Sequence, residues 1–285
     1  MLVALVVMVV WGATPVATRV ATEDLEPLLV AVLRTVLAGV VAVPLVAGTG
    51  MRPPSSRRAR LLLAVSALAG FVFFPVVYTV GQEQTSAMHG VGILAGLPVF
   101  TGLYAAAIAR RFPGRAWLLG CGLALVGEFV IIAVRTSSSG AEATLLGDVL
   151  VLAAALVVSS GYVAGAMLVP RGLSSAAVTY WGAAIGTVVL LPLGLGLLVA
   201  DGLPDADLEA WGAVVFLALA ASLLGYVGWY WALAHGGIER IAPLQFLQPF
   251  SGLALAAIVL DERLTWPLAV GAAAVIAGVA ISRRG

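Results

Sequence analysis

Long apolar runs alternate with short polar breaks along the whole chain. Runs such as "LVALVVMVVW", "LLVAVL" and "LLGCGLALVGEFVIIAV" are separated by breaks rich in Pro, Gly and charge. A helix that crosses a bilayer needs about 20 mostly apolar residues. That criterion predicts ten spans, at 1–18, 28–48, 60–80, 86–108, 116–134, 146–169, 177–199, 210–234, 239–260 and 266–282. The connections are short, and none is long enough for a separate soluble domain. The first run has no positive charge before Arg19, so it is expected to be a span and not a secretory leader.

Composition agrees with the pattern. The chain is 62% hydrophobic and 10% charged, with a mean hydropathy of +1.10; soluble domains carry about 25% charged residues. The formal net charge is +1, which gives no electrostatic case for nucleic acid. All 15 basic residues are arginine. With the N-terminus inside, the inner loops hold Arg52, Arg57, Arg58, Arg60, Arg110, Arg111, Arg115, Arg171, Arg240, Arg283 and Arg284. The outer loops hold Arg19, Arg135 and Arg263. The positive-inside rule then puts both termini in the cytoplasm, and the expected location is a plasma (inner) membrane. The lone Cys121 permits no internal disulfide and no cysteine-built metal site, and reads as a buried bystander.

The second half repeats the first. With a shift of 151 positions, "GLPVFTGLYAAAIARRFPGRAWLLGCGLALVG" falls without gaps on "LQPFSGLALAAIVLDERLTWPLAVGAAAVIAG". Pro98 then matches Pro249, Gly120 matches Gly271 and Gly127 matches Gly278. The glycines are seven apart in each half and mark a face where helix backbones can approach closely. Five spans per half is an odd number, so the halves run through the bilayer in opposite senses. The expected fold is therefore an all-α integral membrane protein, with ten transmembrane helices as two inverted five-helix repeats, 1–135 and 146–283. Secondary transporters are built this way, with the substrate site near the midplane between repeats.

Several stretches carry a resemblance: "WGATPVATR" in the first span, "LRTVLAG" in the second, "LQPFSGLALAAIVLDERLTW" across the ninth and "GAAAVIAGVAI" in the tenth. Together they resemble the EamA branch of the drug/metabolite transporter superfamily over essentially the whole chain. Pro249 followed by Asp261-Glu262-Arg263 matches the family's proline-then-"ER" pattern. The first half departs from it, with Arg110-Arg111 where "ER" is expected. The resemblance implies export or exchange of small metabolites such as amino acids by alternating access, without ATP. It does not imply one substrate. A nucleotide-sugar or lipid-type carrier is the alternative within the superfamily, and it should present more basic residues to the cavity.

Two charges lie more than one turn inside their spans. Arg34 and Glu128 are each six residues from the outer end of their span, about 9 Å below the boundary at 1.5 Å per residue. An ionised side chain in hydrocarbon costs several kcal/mol, so it must face the interior, find a partner or lose its charge. Equal depth and opposite sign predict an ion pair. Such a pair could clamp spans two and five, contact a substrate carboxylate or amine, or involve Glu128 in coupling to a proton. The second half has Val279 where the first has Glu128.

Other candidates are polar or aromatic. Gln245 and Gln248 are three apart between Pro243 and Pro249, and so share a face beside a helix break; they either line a cavity or bind helices together. Gln82, Glu83 and Gln84 are expected at the outer interface. His89, about one turn into span four, is a satisfied polar residue or a pH-responsive gate. Tyr78 and Trp229 match under the repeat shift. The family resemblance implies that their helices surround the central cavity; anchoring at the interface is the other reading. No Walker A, no HExxH and no nucleophile with its base is present. With two His and one Cys, no metal or cofactor is expected, and the chain does not read as an enzyme. The expected partners are a small-molecule substrate, membrane lipid and a coupling proton. Nothing in the sequence requires an oligomer.

Overall fold

The computed structural model describes residues 1–85, 93–135, 144–202, 204–248, 251 and 266–284. In chain order the helices are α1 (Leu2–Asp24), α2 (Pro27–Gly48), α3 (Arg57–Glu83), α4 (Leu97–Ala109), α5 (Arg115–Arg135), α6 (Leu145–Arg171), α7 (Ser175–Asp201), α8 (Leu208–Gly236), α9 (Ile238–Ile241) and α10 (Trp266–Ser282). No strand occurs among the described residues. Six of these helices, α1 to α3 and α6 to α8, are long and apolar enough to cross a membrane. Large apolar side chains also cover the outside, with Leu119 71% and Val188 74% exposed. Hydrocarbon, not water, suits such a surface, and the chain is an integral membrane protein.

The polar breaks start and stop the helices by ordinary capping. The side chains of Glu26, Ser56, Thr144, Ser174 and Asp207 accept hydrogen bonds from the backbone N–H groups of Leu29, Ala59, Gly147, Ala177 and Ala210. Pro27 stands in the first turn of α2, where its missing N–H costs nothing. Gly172, Gly202 and Gly237 end helices at positive φ.

Two expected spans are interrupted. Pro98 sits in the first turn of α4, just after a turn at Ala95–Gly96, so a helix begins anew inside the expected span 86–108. In the ninth span, α9 gives way at once to a tight 3-10 segment at Ala242–Phe246 that contains Pro243. Proline has no N–H to continue the α-helical ladder. His89, Pro249 and Asp261-Glu262-Arg263 lie outside the described residues.

Helix α5 packs along α10, α2 along α7, and α6 against α3 and α4. The α5–α10 contact is made by glycine. A methyl group added to Gly127 would come 2.6 Å from Gly271 O, and one on Gly278 2.5 Å from Gly120 O. Gly120 thus faces Gly278 and Gly127 faces Gly271, so α5 and α10 cross antiparallel with backbones touching.

Helices α3 and α8 each widen into π geometry, at Ala69–Phe73 and Leu217–Leu224. Shifted by 151, the first segment falls on 220–224, inside the second.

Candidate functional site

A π turn leaves carbonyl groups without their usual helical partner, and inside a membrane other groups must satisfy them. Side chains do so here. Tyr226 Oη donates to Gly70 O (3.2 Å), and Thr35 Oγ1 donates to Phe71 O (2.9 Å). In the other segment Trp11 Nε1 donates to Ala221 O (2.9 Å), and Ser222 Oγ donates to Leu217 O (2.8 Å). Gly70 and Ala221 match under the repeat shift, as do the aromatic residues Trp11 and Tyr162.

These bonds draw the aromatic side chains inward. Trp11 stacks on Tyr162, with ring centroids 5.8 Å apart, and meets Tyr226 at 5.7 Å and Trp229 at 5.6 Å. Tyr230 packs edge-on to Tyr226 and shares a 2.8 Å hydrogen bond with Ser66. Trp229 is fully buried in this cluster, which excludes an interfacial anchor for it. Its repeat mate Tyr78 is half-buried and stacks on Phe74 at 5.3 Å.

Arg34 borders the cluster. It is half-buried, and its Nε and Nη2 donate to Ser222 Oγ at 3.4 and 3.2 Å. Ser222 hands its own proton to Leu217 O, which leaves its lone pairs to the guanidinium. Tyr226, Tyr162 and Tyr78 lie within electrostatic reach of Arg34. No ion pair engages Arg34 among the described residues.

The expected pairing of Arg34 with Glu128 is therefore corrected. α2 packs on α7 and on the π segment of α8, whereas α5 packs on α10. Glu128 is 2% exposed, and its Oε2 has no hydrogen-bond partner among the described residues. Depth along the bilayer was equal for the two residues, but depth says nothing about which side of a helix faces which neighbour.

The remaining candidates are scattered. Gln245, in the 3-10 segment, is 3% exposed, and neither amide atom has a partner among the described residues. Gln248 is half-buried. Gln82 is half-buried, Glu83 exposed, and Gln84 Nε2 donates to Val80 O at 3.3 Å. A cavity of about 300 Å³ lies elsewhere, lined by Asp24, Glu26, Leu29, Leu197, Gly202 and Pro204 at helix ends. It holds none of the buried polar groups, so the Arg34 cluster is the better candidate site. Sequence reasoning passed over Ser222 and did not single out Trp11, Tyr162 or Tyr226. The match of Trp11 with Tyr162 under the shift was the available signal.

The model of the EamA-like transporter family matches residues 1–133 and 145–284. The uncharacterized transporter YdeK of Bacillus subtilis (strain 168) is 32% identical over 280 residues, covering 98% of this chain and 94% of its own. A probable amino-acid metabolite efflux pump of Escherichia coli (strain K12) is 30% identical, covering 98% of this chain and 93% of its own. A probable terminal-alkyne amino-acid exporter of Streptantibioticus cattleyicolor is also 30% identical, with 97% and 91% covered. One crystal structure superposes with a TM-score of 0.80 at 18% identity over 98% of this chain and 94% of its own, a likeness of fold.

Proposed function

The chain belongs to the EamA-like transporter family, and from that premise we propose that it exports small amino-acid-like metabolites by alternating access. In this reading, residues 1–135 and 146–283 are two inverted five-helix repeats of a ten-span transporter. It sits in the plasma membrane with both termini cytoplasmic. The antiparallel contacts of Gly120 with Gly278 and Gly127 with Gly271 support the inversion, as they are what a two-fold axis between α5 and α10 produces.

The observation that carries the substrate assignment is Arg34. It is a cation within a membrane bundle, held by a neutral serine and within electrostatic reach of three phenols, with no carboxylate partner among the described residues. A guanidinium has five donors in a planar fork that fits a carboxylate. A substrate carboxylate docked there would offset the cost of a half-buried charge inside the bundle. The aromatic rings beside it suit an apolar side chain or an ammonium group. One arginine suits one carboxylate better than the several negative oxygens of a diphosphate. The names of the two efflux relatives support the same class.

The test is exchange of labelled amino acids in proteoliposomes containing the purified chain. Wild type should exchange at least one neutral amino acid, and Arg34→Gln should lose that exchange while keeping its fold. Exchange of the decarboxylated amines at the wild-type rate, with none for amino acids, would overturn the assignment.

A further inference from the structure

Glu128 is used by nothing described so far. It stands in α5 beside Gly127, where α5 touches α10 backbone to backbone. Its carboxyl is buried, and Oε2 has no partner among the described residues. Among the described residues, the elements packed on α5 bring no counter-charge beside Glu128. Helix α10 carries no titratable side chain, and the polar side chain of Ala242–Phe246 is the amide of Gln245. Helix α4 carries the exposed phenol of Tyr104. On α5 itself, Cys121 is two turns away, and Arg115 and Arg135 stand at the ends. Glu239 and Arg240 of α9 are near the Trp117 end, where Trp117 Nε1 donates to Glu239 O at 3.1 Å.

The repeat provides an internal control. Shifted by 151, Glu128 becomes Val279, beside Gly278 and 6% exposed. The same glycine contact is flanked once by valine and once by a carboxylic acid. Packing therefore requires only an apolar side chain of moderate size. An acid there costs several kcal/mol if ionised, and no structural partner among the described residues offsets it.

We propose that Glu128 is the proton-binding site of the transport cycle, an inference that rests on the export reading above. A proton from the outer water binds the carboxylate and forms the neutral acid. After the switch in access, the O–H bond breaks toward the cytoplasm and restores the carboxylate. One proton enters as one substrate leaves, and no bond of the substrate changes.

The test uses the full-length chain in lipid vesicles and has two arms. Infrared difference spectra across neutral to alkaline pH should show a protonated-carboxyl C=O band in wild type that is missing in Glu128→Gln. An imposed pH gradient should drive accumulation of a mixture of labelled neutral amino acids by wild type, with matching proton movement reported by a trapped dye. In Glu128→Gln, accumulation should fall to its level without a gradient and proton movement should vanish. Labelled-for-unlabelled exchange should continue, because exchange requires no net proton transfer. Glu128→Val, the residue of the other half, should melt no lower than wild type and lose proton movement equally, which separates coupling from folding. Gradient-driven accumulation retained by Glu128→Gln, or a carboxyl band that survives the substitution, would overturn the proposal. Should wild type exchange no amino acid, the export reading fails, and the infrared band alone decides whether Glu128 binds a proton.

Discussion

At matched positions of the two halves, Trp11 stacks on Tyr162, and the carbonyls of Gly70 and Ala221 each accept a side-chain hydrogen bond. At other matched positions Arg34 faces the sequence of its partner half as Ile185, Ser222 as Phe71, and Glu128 as Val279. The devices that shape the backbone are thus shared, whereas the charged groups inside the spans occur once each. A helix-helix contact and a widened turn serve packing in both halves. A charge within hydrocarbon is costly wherever it sits, so its presence in one half only marks a task that packing does not impose.

The largest effect expected from breaking this asymmetry is at Arg34. Truncating one partner of a buried charge-assisted contact costs about 2–5 kcal/mol. Arg34→Gln should therefore weaken amino-acid binding by roughly 30-fold or more, while the melting temperature changes little or rises. Amino-acid-induced thermal shifts in detergent check both parts; equal affinity in the two proteins would remove Arg34 from the site.

Next come the shared glycines. Gly127→Ala and Gly278→Ala would press a methyl group on backbone atoms of the facing helix. Each is expected to destabilise by about 1–3 kcal/mol, as overpacking does. Gly122 lies on the same helix with nothing within 4 Å of an added methyl group. Gly122→Ala should be neutral or stabilise by up to about 1 kcal/mol through helix propensity. Melting temperatures of the three variants measure the contrast, and similar losses at Gly122 and Gly127 would contradict the backbone contact.

The smallest effect sharpens the comparison of the π segments. Tyr226→Phe removes the donor to Gly70 O and Trp11→Phe the donor to Ala221 O. A buried carbonyl left without its partner costs about 1–3 kcal/mol, with the lower end expected where neighbouring donors can shift. Hydrogen exchange should report faster amide exchange in 69–73 for the tyrosine variant and in 217–224 for the tryptophan variant. Loosening of both segments in either variant would mean that the two behave as one unit.

Much of the fold was legible because its signals are local. Apolar run length, caps such as Ser174 and Asp207, and glycines at helix ends act within a turn or two of chain. The α5–α10 glycine contact was legible at one remove, through the repeated spacing. Proline gave mixed information: at Pro98 it marks a helix start, and near Pro243 it accompanies a tightened turn. The candidate site was legible only in part. Arg34 and Glu128 stand out in any hydropathy reading, but their partners do not. Ser222 is one small polar residue among many, and it matters because a π turn brings it to the guanidinium.

The sequence by itself determined that this chain lives in a membrane, which family it belongs to, and which residues bring charge into the apolar interior. Those properties follow from composition, run length and repeat, which need no knowledge of neighbours. Only the tertiary structure decided that Arg34 meets Ser222 while Glu128 stands apart beside the α5–α10 contact. Hydropathy specifies depth along the bilayer normal, whereas the rotation and packing of each helix specify which groups meet at that depth.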